Sequence, residues 1–130
     1  MITRASIIDG KQQCLKHLTT GQLFTAESTC IAEEATVPVP RSNAENDDYF
    51  DAFVDLLPSS SGAERIALGI TDVQTEGQWV DANNEQILYT NWESGQPDNW
   101  NGEHYAEFKI YNKQWNDLPD TWPVEIVCQL

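Results

Sequence analysis

Gln96-Pro97-Asp98 and Trp115-Asn116-Asp117, with Glu103 between them, concentrate oxygen-bearing side chains at two separated points of the stretch from Asn91 to Asp117. Hard cations such as calcium take roughly six to eight oxygen ligands from carboxylates, amide carbonyls and water. Asp98, Glu103 and Asp117 offer carboxylates, and Gln96 and Asn116 offer side-chain amides. Five side-chain donors leave coordination positions for something else.

A carboxylate pair such as Asp98 and Glu103 also suits a glycoside hydrolase. That chemistry needs one carboxyl held protonated in an apolar setting, whereas a calcium ion keeps both ionised. No Ser-His-Asp, Cys-His or phosphate-loop pattern accompanies the pair, so the expectation is a binding protein and not an enzyme. His17 and His104 are not spaced as a metal pair and read as surface histidines.

Twenty-one Asp and Glu against seven Lys and Arg give a formal net charge of -14. So few cations form no basic stripe, which argues against a nucleic-acid partner. Three site carboxylates account for only part of the excess, and the rest is solvated surface. No apolar run approaches the roughly 18 residues that span a bilayer. Met1 to Gly10 has an Arg and an Asp but no continuous apolar core, so it does not read as a signal peptide, and secretion would mean that a leader has been removed.

Positioning these side chains needs a scaffold. At 130 residues the chain reads as one domain with a single core, residues 1–22 forming an N-terminal strand region and 23–130 the body. Strands are expected around Ser6 to Ile8 and Cys14 to Leu18. Thr25 is expected to cap a helix running to about Ala35, with Glu27 in its first turn, after which Pro38 and Pro40 force an extended connection. Ser42 and Glu45 form a capping box for a second helix that places Tyr49, Phe50, Phe53, Val54 and Leu57 on one face and stops at Pro58. Pro58 to Glu64 reads as a loop. Ile66 to Ile70 has strand length, and Gln78 to Val80 and Ile87 to Leu88 are weaker strands. Tyr89 to Asn101, rich in Gly, Pro, Asn and Asp, reads as a long loop of the kind that carries binding groups. His104 to Tyr111 alternates, with Ala106, Phe108 and Ile110 on one face, and turns at Asn112-Lys113 back to Trp115. Glu125 to Cys128 closes the domain. Helices first and short strands later give the α+β class.

The order of Leu68-Gly69-Ile70, Glu76-Gly77-Gln78-Trp79, Thr90-Asn91-Trp92, the two site tripeptides and Ile126-Val127-Cys128 resembles that of C-type lectin carbohydrate-recognition domains over roughly residues 23 to 130. The resemblance implies two helices with small antiparallel sheets and a long calcium-binding loop region, a calcium cofactor, and a cis peptide bond before Pro97. It implies that Gln96, Asp98, Glu103, Asn116 and Asp117 hold the ion. In such domains the same side chains bind vicinal hydroxyls of a pyranose, each hydroxyl donating to a carboxylate and accepting from an amide. Gln96 and Asp98 would serve one hydroxyl, Glu103 and Asn116 the other, with Asp117 completing the sugar site. Amide first and acid second implies galactose or N-acetylgalactosamine, the reverse order mannose.

Trp100 stands where galactose-type members lay an indole on the C–H face of the sugar. Here only Asn101-Gly102 separates it from Glu103, where those members often carry a glycine-rich insert. An auxiliary calcium site of some relatives maps onto Asp72 and Glu76, but its two other acids are Asn99 and His104 here, which leaves it empty or weak. Trp79, Trp92 and Trp115 map onto packing positions.

Three cysteines leave one thiol over after any single pairing. The resemblance pairs Cys30 with Cys128, which implies an oxidising, extracellular setting. The positions of a second family disulfide hold Tyr105 and Asp120, so that calcium itself carries more of the ordering of the site loops. Cys14 reads either as a free thiol or as an interchain disulfide that makes a homodimer and doubles the sugar sites. Together these imply a secreted, calcium-dependent galactose-type lectin whose single sites bind weakly. The alternative is a domain of this fold that binds protein without sugar.

Overall fold

Asp9 and Gly10 both have positive φ, 52° and 75°, the pair that a two-residue type I′ hairpin turn requires. They join β1 (Ile2–Ile8) to β2 (Lys11–Gln22), paired antiparallel from Ile2 opposite His17 to Ile8 opposite Lys11. The chain is seen in a computed structural model that describes residues 2–57, 65–100 and 102–130. The expected loop from Pro58 to Glu64, and Pro58 as a helix stop, lie outside these residues. The two short strands expected in the N-terminal region are thus the middle of a longer ribbon, because the turn lets pairing run on in both directions.

A 3-10 turn, Leu23–Thr25, leads into α1 (Ala26–Ala32). Thr25 does not cap this helix with its side chain. Its hydroxyl donates instead to the Gln22 carbonyl, at 2.7 Å, because the preceding turn already holds its backbone near helical angles. The helix also ends earlier than Ala35. Glu34 takes φ 56°, and the Ala35 and Glu34 N–H groups return to the carbonyls of Cys30 and Ile31, which is the Schellman pattern of helix ends.

In α2 (Asn43–Leu56) the Ser42 hydroxyl accepts from the Glu45 N–H at 3.1 Å, as the capping box predicts. The Glu45 carboxylate reaches one residue further back than expected and accepts from the Arg41 N–H. The buried face carries Tyr49, Ala52, Phe53 and Leu56. Val54 is half exposed, at 49%: one residue beyond Phe53 is a turn of about 100° around the helix, which carries it off the core face.

β3 (Arg65–Thr71), β4 (Tyr105–Lys109), β5 (Trp115–Leu118) and β6 (Pro123–Gln129) complete a six-stranded sheet of order β1-β2-β6-β3-β4-β5. Ile66 opposite Glu125 is a parallel contact, and it joins what would otherwise be separate antiparallel sheets into one mixed sheet. The weak strands expected at Gln78 to Val80 and Ile87 to Leu88 form only single bridges, Val80 with Thr71 and Gln86. Between them the Asp81 carboxylate accepts from the N–H groups of Asn83 and Glu85. That local turn competes with ladder pairing.

Both sheet faces are covered. Tyr49, Phe53 and Leu56 of α2 pack with Ile66, Leu68, Ile70, Phe108 and Trp115. On the other face Leu23, Ala26 and Cys30 pack with Ala67, Val124, Ile126 and Cys128. Gly69 is required where the 37–39 segment crosses β3: a Cβ there would lie 2.6 Å from the Val37 carbonyl oxygen. The Cys30–Cys128 disulfide forms as expected and ties α1 to β6.

Candidate functional site

The loop that begins at Tyr89 is tied to the sheet before it reaches the predicted site. The Glu93 N–H donates to the Trp115 carbonyl, and the Trp115 N–H to the Asn91 carbonyl, at 2.8 and 2.9 Å. The Glu93 carboxylate accepts from Lys109 Nζ at 3.0 Å and Asn112 Nδ2 at 2.7 Å, and Lys109 foremost holds it below its ordinary range. Underneath, Trp92 packs against Trp79 and Trp115, with ring centroids 4.9 and 5.7 Å apart. The Trp115 Nε1–H donates to Asn46 Oδ1 at 2.9 Å, so α2 supports the same stack. These tryptophans pack, as expected. Glu93 was not anticipated, since it belongs to no motif.

The Gln96–Pro97 bond is cis. Beyond it, buried Asp117 in β5 accepts from two loop amides, the Asp98 N–H at 3.2 Å and the Asn99 N–H at 2.8 Å. The Asp98 carboxylate in turn accepts from the Trp100 N–H at 3.2 Å. Asn99 has φ 51° and Gly102 has φ 75°, and the Gly102 N–H closes onto the Asn99 carbonyl. This tight turn delivers Glu103 to the same place, so that the carboxylates of Asp98, Glu103 and Asp117 present oxygens all within 4.8 Å of one another. The Gln96 Oε1 is buried without a hydrogen-bond partner.

Crowding three carboxylates has an electrostatic cost. Burial foremost, then Asp98 and the charge of Asp117, push Glu103 up to about 7. Burial likewise raises Asp117. Asp98 is held low, chiefly by the Trp100 N–H. A hard divalent cation relieves this repulsion and prefers oxygen donors, and the orphaned Gln96 Oε1 is one more such donor. These residues fit a cation of that class.

A pH dependence follows for the protein in a chelator. Glu103 binds its proton more tightly when folded than at the ordinary 4.5, so its contribution to stability is present at low pH and is lost as pH rises from 4.5 towards 7. Over that window the melting temperature of the wild type in EDTA should fall relative to that of Glu103→Gln. A wild-type curve that climbs relative to the variant would contradict this electrostatic account.

Three of the five predicted cation donors, the carboxylates of Asp98, Glu103 and Asp117, therefore converge. Asn116 lies beside Asp117 in β5, but its Nδ2 donates to Glu107 Oε2 at 3.1 Å. Glu107 is itself fully buried, and nothing in the motif pattern singled it out. Trp100 is 66% exposed, and its backbone N–H ties it to the Asp98 carboxylate.

At the auxiliary position, His104 Nδ1 lies 2.9 Å from Asp72 Oδ1 and 3.4 Å from Glu76 Oε1. Asp72 also accepts from the Gly77 N–H at 2.8 Å. An imidazole nitrogen replaces a hard oxygen there, which fits calcium less well than the three-carboxylate cluster does. No described helix is long and apolar enough to cross a membrane.

Residues 19–130 match the family model of the lectin C-type domain. Among solved structures, the chain is similar to the carbohydrate-recognition domain of the mouse scavenger receptor C-type lectin at 27% identity and a TM-score of 0.77, over 91% of this chain and 87% of that one. It is similar in fold to the C-type lectin CEL-I from Cucumaria echinata at 24% identity and a TM-score of 0.77, over 90% and 89%. A calcium-independent type II antifreeze protein shares the fold at 18% identity and a TM-score of 0.75, over 92% and 87%.

Proposed function

The chain belongs to the lectin C-type domain family, whose members are carbohydrate-binding domains without enzymatic activity, and from that premise we propose that it is a calcium-dependent lectin for galactose or N-acetylgalactosamine. The observation that carries this reading is the convergence of Asp98, Glu103 and Asp117, and the unpartnered Gln96 Oε1 adds to it. Gln96, Asp98, Glu103, Asn116 and Asp117 would hold calcium, which when bound offers coordination positions to two vicinal sugar hydroxyls. Around that ion the carboxylates accept from the hydroxyls and the amides donate to them. Gln96 before Asp98 favours the galactose arrangement of hydroxyls. The exposed Trp100 indole is available to cover the apolar face that an axial 4-hydroxyl leaves on the ring.

One such site buries few atoms and binds weakly, so useful avidity needs several copies. Cys14 is exposed on β2 and is free to form an interchain disulfide that makes a homodimer. The Cys30–Cys128 bond suits a secreted, extracellular protein. The calcium-independent antifreeze relative motivates the competing reading, an interaction module of this fold that binds no sugar.

Chromatography on immobilised galactose, N-acetylgalactosamine and mannose in millimolar calcium separates the two readings. Retention on the first two resins with release by a chelator is expected. Trp100→Ala should weaken retention on galactose while leaving calcium binding within about twofold of wild type, since an indole supplies no cation ligand. If no resin holds the protein, including its disulfide-linked dimer, the interaction-module reading replaces the lectin reading.

A further inference from the structure

Glu107 is fully buried in β4, a costly place for a carboxylate unless it is paired and hydrogen-bonded. Its Oε2 accepts from Arg65 Nη1 at 2.7 Å and from Asn116 Nδ2 at 3.1 Å, while its Oε1 is buried without a partner. Register explains the meeting. Glu107 stands directly opposite Asn116 across the β4–β5 ladder and opposite Ala67 on the β3 side, so the two polar side chains share one face.

The two ends of an amide have nearly the same shape but opposite hydrogen-bonding character. An ionised carboxylate only accepts, so the contact with Glu107 keeps the nitrogen end of Asn116 turned towards it. One N–H is spent on Glu107. The carbonyl oxygen and the second N–H remain.

We propose that Glu107 is a positioning residue for the cation and sugar site: by holding one amide proton of Asn116 it fixes the carbonyl oxygen as the end presented to the cation and leaves one N–H for a sugar hydroxyl. This rests on the calcium-lectin reading above. Arg65, whose side chain is 37% exposed, neutralises Glu107 from the solvent side. Without Glu107 the amide is free to turn either end inward, and a nitrogen aimed at a cation contributes nothing to holding it. Partners that orient metal ligands in this way typically contribute about 10 to 100-fold in metal affinity.

The test is calcium titration by calorimetry, retention on immobilised galactose, and melting in EDTA and in calcium, on five proteins: wild type, Glu107→Leu, Glu107→Gln, Asn116→Ala and the double variant Glu107→Leu/Asn116→Ala. Glu107→Leu should weaken calcium binding about tenfold and release the protein earlier from galactose. Glu107→Gln keeps an acceptor carbonyl opposite Asn116 and should stay within about twofold of wild type. The double variant should bind calcium no more weakly than Asn116→Ala alone, because the effect passes through that amide. Unchanged calcium and galactose binding in Glu107→Leu would overturn the inference. So would a calcium loss of equal size in the Asn116→Ala background, which would mark a general structural role and be accompanied by a lower melting temperature in EDTA. If the wild type itself takes up no calcium, the lectin reading fails first and this inference with it, a result distinguishable because all five proteins then titrate alike.

Discussion

Asp117→Ala is expected to abolish calcium-dependent retention on galactose and to weaken calcium binding by about a hundredfold, equivalent to about 2.7 kcal/mol. Extracellular calcium modules hold the ion at roughly 0.1 to 1 mM, so a loss of that size leaves the site empty at any ordinary calcium concentration. Two effects act together. Asp117 is one of the three carboxylates that converge, and it is also the acceptor that pins the Asp98 and Asn99 backbone amides. Removing it takes a charge from the cluster and unfastens the turn that carries Asp98 and Trp100. Asp117→Asn separates the two contributions, because it keeps one acceptor for the loop while losing the charge. It should bind calcium better than Asp117→Ala and worse than wild type. Wild-type calcium affinity in Asp117→Ala, measured by calorimetry, would remove this residue from the cation site.

Loss of the Cys30–Cys128 bond is the second large effect. The cysteines are separated by 98 residues, and closing so long a loop in the unfolded chain is worth about 4 to 5 kcal/mol in the chain-entropy account. A domain of this size has a total stability of roughly 5 to 15 kcal/mol, so about a quarter or more of it rides on one covalent bond. Both cysteines are also buried in the cluster with Leu23, Ala26, Val124 and Ile126, so Cys30→Ala/Cys128→Ala adds lost packing. Urea unfolding of that variant in calcium should show the drop, with a melting temperature lower by more than about 10 °C. A change below about 1 kcal/mol would mean that the unfolded chain is barely constrained by the bridge. The dependence is sharpened by what stands at the positions of the missing second disulfide. Burial foremost, with the charges of Asp120 and Glu27, raises the Tyr105 hydroxyl, and no covalent clamp links these residues.

The sequence by itself determined the α+β class, the Cys30–Cys128 pairing through its family pattern, the cap at Ser42, and which carboxylates converge. These are matters of covalent chemistry, of contacts within a few residues, or of motifs whose spacing carries its own geometry. Four errors were local as well: the cap at Thr25, the reach of α1, the facing of Val54, and the weak strands around Asp81. Each turned on a backbone or side-chain bond that periodicity alone does not weigh.

Only the tertiary structure decided how the site is held. Glu93 meets Lys109 and Asn112, and Glu107 meets Arg65 and Asn116, and no motif announces any of these partners. Each pair is brought together by strand register or loop closure, and a shift of one residue in register would turn Glu107 to the opposite face of the sheet from Asn116. Ligand types can be read along a chain because they belong to single residues. The orientation of Asn116 cannot, because it belongs to the pairing of β4 with β5.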